Sequence, residues 1–235
     1  MRYLVSVMMF ALLSLPGSAD ELENLADLSQ QEFALLAEDM TAALAYRGLQ
    51  PAEPYGSIGF DVGFDATAVA IHNDAIWQRA GVDASTIPLL KLSATKGLPF
   101  GLDVGGFVGS APGTGMRNLG AQVRYALVEG GVVTPAVGLR AAVTRLEGVD
   151  QLDHDTRSLD LSLSKGFGPT TPYAGFGRIW ASADPDPATG LTGHDVAENR
   201  AFAGVRFTFV VLQRVLEADR IGVATGYSAR FAFGF

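Results

Sequence analysis

Along most of this chain, apolar and polar positions alternate with a period of two. In the stretch beginning at Gly56, Ile58, Phe60, Val62, Phe64, Ala66 and Ala68 fall on one face, and Asp61, Gly63, Asp65 and Thr67 on the other. Successive side chains of an extended strand point to opposite faces, so the pattern predicts a strand with one apolar side. The same alternation recurs at 86–96, 99–109, 115–128, 133–146, 154–166, 171–183, 197–210, 213–220 and 225–235, which predicts ten strands. The stretch 213–220 is the shortest and is interrupted by Arg214 and Arg220. Only one segment of the mature chain has helical spacing instead. Phe33, Leu36, Ala37, Met40 and Leu44 form one apolar stripe, and Ser29-Gln30-Gln31-Glu32 ahead of them is a capping box, so a helix is expected from Gln30 to about Tyr46. Pro51-Ala52-Glu53-Pro54 then breaks regular structure as a hinge.

Strands of this length, separated by turn residues, fit either a soluble sandwich or a transmembrane barrel. Three observations favour the barrel. The less apolar faces carry mainly Gly, Ser, Thr and Ala with one or two charges each, which suits a crowded lumen better than a surface in water. Connections alternate in length: those near 96–99, 129–132, 166–170 and 211–212 are short, whereas 72–85, 110–114, 147–153 and 184–196 are mostly longer, as periplasmic turns and extracellular loops are. The last strand alternates Tyr227, Ala229, Phe231, Phe233 and Phe235 to the final residue, an apolar edge that would aggregate in water but closes against the first strand in a barrel. The fold class expected is therefore an all-β antiparallel barrel of ten strands over 56–235. Eight or twelve are the alternatives, twelve if 42–50 is itself a strand.

Composition narrows the setting. The chain has 235 residues, 18% of them charged, no cysteine and a formal net charge of -8. No basic field is present to hold a phosphate backbone, so nucleic acid is not an expected partner. Beyond residue 15 no apolar run approaches the roughly twenty residues of a membrane-spanning helix. At the start, Arg2, the apolar stretch Tyr3 to Leu15 and the small residues Gly17-Ser18-Ala19 read as an export signal cleaved after Ala19. The division expected is a signal peptide at 1–19, a periplasmic helix and linker at 20–55, and the barrel at 56–235. Without cysteine, no disulfide supports an exported fold.

The terminal run Tyr227-Ser228-Ala229-Arg230-Phe231-Ala232-Phe233-Gly234-Phe235 resembles the C-terminal signal of Gram-negative outer-membrane proteins. That resemblance implies an outer-membrane location, insertion by the barrel assembly machinery, contact with outer-membrane lipid, and an assembly signal made of Tyr227, Phe231, Phe233 and Phe235. The run from Ala45 to Gly63, together with Leu216-Glu217-Ala218-Asp219-Arg220, resembles an uncharacterised proteobacterial barrel family and brings no activity with it.

Alternation assigns Asp61, Asp65, Asp103, Asp160, Glu217 and Asp219 to the lumen, with Lys91, Arg124, Arg140, Arg178, Arg206 and Arg230 opposing them. Placing Arg178 inside also brings in Phe176 and Trp180. A selective channel shows one dominant sign. Balanced charge predicts an ion-paired, closed interior and a structural or surface-interaction role, with a monomer expected. The alternative is a narrow pore or transporter for small solutes, gated by the helix. The linker between helix and first strand holds only about ten residues, so the helix is expected at the periplasmic mouth of its own barrel. There Phe33, Leu36, Met40 and Leu44 would pack as a plug, or else lie in the inner-leaflet surface.

Chemistry is sparse. His72, His154 and His194 lie in or beside outer loops, and Asp153-His154-Asp155 and His194-Asp195 are local acid/base neighbours. Asp and His at the outer rim of a ten-stranded barrel is similar to the omptin proteases, but no matching set of carboxylates can be placed across the rim. An outer-membrane protease or lipid enzyme is thus the least supported reading, with no catalytic residue assigned. No metal-ligand set is assigned either: Asp184-Pro185-Asp186-Pro187 lacks the turn of a calcium loop. Nor is a cofactor expected, since Gly101 to Gly115 lacks the Lys and helix of a phosphate loop.

Overall fold

The computed structural model describes Leu22 and residues 24–235; the export signal expected at 1–19 lies outside the described residues. Ten antiparallel strands close into a barrel. They are β1 (Phe60–Ala70), β2 (Thr86–Gly97), β3 (Leu102–Ser110), β4 (Arg117–Val128), β5 (Ala136–Glu147), β6 (Leu152–Ser164), β7 (Thr170–Pro185), β8 (His194–Phe209), β9 (Leu212–Ile221) and β10 (Ala224–Gly234). Each pairs with its sequence neighbours, and β1 pairs with β10 through Asp61↔Gly234, Phe64↔Phe231 and Ala70↔Thr225. Closure removes the edge that the aromatic last strand would otherwise expose. Phe60 and Phe235 exchange backbone hydrogen bonds of 3.0 Å across the seam, and their rings meet edge to face at 4.9 Å. β9 is a continuous ten-residue strand: Arg214 and Arg220 do not interrupt it, because both point outward near its two ends.

The two rims differ. At the turn end, where β1 starts and β10 finishes, the connections 98–101, 129–135, 165–169 and 210–211 are short. Val210 there takes φ 60, a conformation rare for a β-branched residue, in the two-residue link from β8 to β9. The loop end carries residues 71–85, with a short helix α2 (Asp74–Arg79), and residues 186–193. Its one tight hairpin, between β9 and β10, turns at Gly222 with φ 55, where a side chain would be strained.

Outside, the barrel wall is apolar. Val62, Phe64, Val123, Tyr125, Leu159, Leu163, Phe176, Leu216, Phe231 and Phe233 are all exposed. Inside, the lumen has two storeys. Helix α1 (Gln30–Leu44) begins at the capping box, in which the Ser29 side chain and the Glu32 backbone, and the Glu32 side chain and the Ser29 backbone, satisfy one another. Its Phe33, Leu36, Met40 and Leu44 pack with inward residues from the loop-end halves of the strands, among them Val69, Ile87, Leu89, Leu146, Ile179, Val196 and Ile221. Below it the chain continues through the turn-end half, where the inward residues are charged.

The helix is therefore not at the mouth where β1 begins. Gln30 donates to the Thr192 carbonyl at 2.9 Å and accepts from its N–H, the Leu25 N–H donates to Gln151, and the Asn24 N–H donates to the Ala80 carbonyl. All three partners belong to the loop end. The linker, and not the helix, fills the other mouth. Reading that linker as a short tether left out its reach: ten extended residues span about 33 Å, the full height of such a wall.

Candidate functional site

The interior is built around residues 45–55, which cross the lower lumen without regular structure, with Leu49 at φ 48 and a bend at 52–53. A chain without regular structure in a closed interior needs partners for its backbone polar groups, and the wall supplies several. Arg47 holds both ends of the arrangement. Its Nη2 and Nη1 donate to the Ala42 and Ala43 carbonyls at 2.8 and 3.1 Å, covering carbonyls that a helix C-terminus leaves free. Its Nε lies 3.1 Å from both oxygens of Asp219. Lys91 donates to the Arg47 carbonyl at 2.8 Å and lies 3.5 Å from Asp65. Gln50 donates to Thr95 at 3.0 Å, and the Ala52 N–H donates to Ser164 at 3.1 Å. Near the turn end, Arg124 donates to Asp103 at 2.6 Å and to the Glu53 carbonyl at 3.1 Å. Asp103 accepts from the Tyr55 N–H at 3.1 Å, and Arg206 donates to the Glu53 carboxylate at 2.8 Å.

A second cluster belongs to the wall itself. Arg200 lies 3.4 Å from Asp160, 2.9 Å from Glu217 and 3.6 Å from Asp219. It donates to the Tyr46 carbonyl at 2.8 Å and sits 4.6 Å over the Phe202 ring. The Tyr173 hydroxyl donates to Glu217 at 2.7 Å. Arg230 joins Asp61 and Asp65, the latter at 2.6 Å. Glycine makes room for these long side chains. A Cβ on Gly63 would stand 2.7 Å from the Arg230 guanidinium, and one on Gly48 would stand 2.3 Å from that of Arg140.

Eleven of the twelve charges assigned to the lumen by alternation face inward: Asp61, Asp65, Lys91, Asp103, Arg124, Arg140, Asp160, Glu217, Asp219 and Arg230 are buried, and Arg206 is nearly so. Arg178 is the exception. It points outward between Phe176 and Trp180 and donates to Asn199 at 3.0 Å; two aromatics that favour lipid outweigh one charge in setting which way the strand faces. The place given to Arg178 belongs to Arg200, which is six residues from Arg206 and so shares its face. That spacing was available in the sequence. Nothing in the alternation could find Arg47 and Glu53, because both lie on the threaded segment.

The rim histidines do not form acid/base pairs with their sequence neighbours. In β6, His154 points inward, 3.2 Å from the Thr41 hydroxyl, while Asp153 and Asp155 point outward. The same period of two separates His194 from Asp195 in β8. His72 lies in the 71–85 loop, its backbone N–H donating to Asp39 at 3.4 Å. Among the described residues no group of three or more His, Asp or Glu is placed to hold a metal ion, and no helix is long and apolar enough to cross a membrane, which says nothing of the strands. At the loop-end tip of α1, the Ser29 backbone N–H and the Arg79 guanidinium hold the Glu32 carboxyl down at about 2.

No family model matches the chain, and no curated protein does. Among solved structures, the fold is similar to the KdgM porin in complex with disordered oligogalacturonate, with TM-score 0.42 and 7% identity over 74% of this chain and 99% of that one. It is also similar to the outer-membrane protease OmpT from Escherichia coli, with TM-score 0.40 and 9% identity over 75% and 96%. A third is the translocator domain of the autotransporter NalP from Neisseria meningitidis, with TM-score 0.35 and 10% identity over 89% and 96%. These are likenesses of barrel architecture, and the activities named for those proteins are theirs.

Proposed function

We propose that this protein is an outer-membrane barrel closed by its own N-terminal segment, with a structural or surface-interaction role played by its loop end. The apolar wall supports the membrane setting, since the exposed aromatic and branched residues along β1, β4, β6 and β10 would be costly in water. The two longest connections, 71–85 and 186–193, lie at the same end, which supports an orientation with that loop end outside. On that orientation residues 24–28 and the start of α1 lie at the outer face.

One observation carries the closed reading. The wall arginines Arg124, Arg140, Arg200 and Arg230 and the threaded residues Arg47, Leu49, Gln50 and Ala52 are each at most 3% exposed. A water-filled path through that level would leave these side chains accessible. Wall charge is balanced as well, with Asp61, Asp65, Asp103, Asp160, Glu217 and Asp219 against Lys91, Arg124, Arg140, Arg200, Arg206 and Arg230, which provides no selectivity of sign. Conductance of the purified full-length protein in planar bilayers tests this directly. No steady open level is expected. A stable, reproducible open level in the unmodified protein would favour the pore gated by α1 instead.

A further inference from the structure

Charges are unexpected on the outside of a lipid-facing wall, yet besides Arg214 and Arg220 at the two ends of β9 four arginines stand there on consecutive strands: Arg117 on β4, Arg145 on β5, Arg157 on β6 and Arg178 on β7. The register links them. Arg145 is opposite Leu119, Arg157 is opposite Val143, and Leu159 is opposite Arg178. Each arginine is therefore the diagonal neighbour of the next, about 7–8 Å away on the same face. Strands in such barrels tilt by about 35–45°, so a diagonal of this hand runs close to the membrane plane.

The row marks a border. Toward the turn end the next three outward residues are apolar: Leu159, Leu161 and Leu163 beneath Arg157, and Phe176, Ala174 and Pro172 beneath Arg178. Three outward rows correspond to about 15 Å of height at ~3.3 Å per residue and that tilt. Above the row stand Trp180, an interfacial residue by type, and the acids Glu147, Asp153, Asp155 and Asp184. Toward the loop end the outward arginines lie on β4 to β7 and, as Arg220, on β9, whereas the outward faces of β1, β3 and β10 carry no charge at any height. An arginine placed only to anchor the barrel would be expected around the whole circumference.

These arginines are not all neutralised. Asp155 pairs with Arg145 at 2.9 Å and Glu147 stands opposite Arg117, but among the described residues no carboxylate pairs with Arg157 or Arg178. Two surface cavities flank Arg157. One of about 490 Å³ is lined by Asp155, Arg157, Trp180, Ser182, Asp195 and Ala197; one of about 460 Å³ is lined by Leu119, Val143, Arg145, Asp155 and Arg157.

We propose that this wall binds a phosphorylated lipid of the outer leaflet, with Arg145, Arg157 and Arg178 on its phosphate groups and its acyl chains on the leucine and phenylalanine rows below. Phosphate accepts the planar donors of arginine in pairs, and several phosphates spaced along one headgroup match a row of arginines better than a single anion does. The proposal rests on the outer-membrane reading and on the loop end facing outward.

The test uses the full-length protein in detergent, titrated with bisphosphorylated lipid A and, separately, with phosphatidylethanolamine and inorganic phosphate, with retention read by native mass spectrometry. Lipid A should be retained in preference to phosphatidylethanolamine, should resist millimolar inorganic phosphate, and should bind at least tenfold more weakly to R157Q/R178Q. R157K/R178K should keep part of the affinity, and R214Q, at the turn end, should keep all of it. Lipid A bound no better than phosphatidylethanolamine, displaced by inorganic phosphate, or bound equally by R157Q/R178Q would overturn the proposal. Heat-shifted migration and membrane extraction of the same variants report separately whether the barrel is folded and membrane-inserted, so loss of the lipid site and failure of the membrane reading leave different records.

Discussion

Replacing Arg200 by Met should be among the most damaging single changes in the barrel, although no charge would be introduced. Arg200 is completely enclosed and stands within 3.6 Å of three carboxylates. Without it, Asp219 keeps Arg47 at 3.1 Å and Asp160 keeps only Arg140, at 3.8 Å. Glu217 keeps only the Tyr173 hydroxyl. Breaking one side of a buried charge cluster costs about 3–5 kcal/mol, and the lost bond to the Tyr46 carbonyl adds about 1 kcal/mol. The penalty has a ceiling: a stranded carboxylate escapes by binding a proton, which at pH 7 costs about 3–4 kcal/mol for an ordinary carboxylate. R200M should therefore lose about 4 kcal/mol at pH 7, and by the same reasoning less at pH 5. With a denaturant slope of about 2 kcal/mol/M, the urea midpoint in lipid vesicles should fall by about 2 M. R200M/E217Q, which removes the stranded charge, should recover about 1–3 kcal/mol. A midpoint for R200M within about 0.5 M of the parent, or a double variant whose losses simply add, would refute the view of these residues as one coupled cluster.

Three further outcomes can be checked independently. Single cysteines at 150, at 190 and at residue 26 should all react with an impermeant maleimide on intact cells, whereas one at 168 should react only after the outer membrane is opened; label at 168 but not at 26 would invert the orientation. Phe235→Asp removes one ring of the Phe60–Phe235 pair at the closing seam and one aromatic of the terminal alternation, so the folded, heat-shifted protein in the outer membrane should fall and unfolded material accumulate in the periplasm, while unchanged levels would sink the assembly role. Glu32, held at about 2 against an ordinary 4.5, binds its proton less readily when folded; its contribution is complete above pH 4.5 and is lost as pH falls from there through about 2. Side-chain carbon NMR should place its midpoint near 2 and move it upward in R79M, and a midpoint near 4.5 in the unmodified protein would remove the linkage.

Much of this architecture is written locally. The period of two places Phe64 outside and Asp65 inside by the geometry of one strand alone, and Ser29 with Glu32 starts α1 wherever that helix is docked. Strand number and the direction of most strand side chains followed from such short-range rules, and parity applied fully would have found Arg200 through its spacing from Arg206. Arg178 failed because one charge was weighed above its aromatic neighbours Phe176 and Trp180. The course of the N-terminal segment is a different matter. Whether residues 45–55 stop at one mouth or cross the lumen depends on the space left inside a closed wall, and strand closure is a property of all ten strands together. A trace of it was present: Val69, Ile87, Leu89, Ile179 and Val196 make the inward faces apolar toward the loop end, where they await an apolar helix, and charged below, where they await a polar chain. That gradient acquires meaning only once the strands are in register. Arg47 can reach Asp219 across 172 positions of sequence because the barrel has already brought β9 around to meet it, and the outward arginines of β4 to β7 form a row only because the tilt of the strands lines them up.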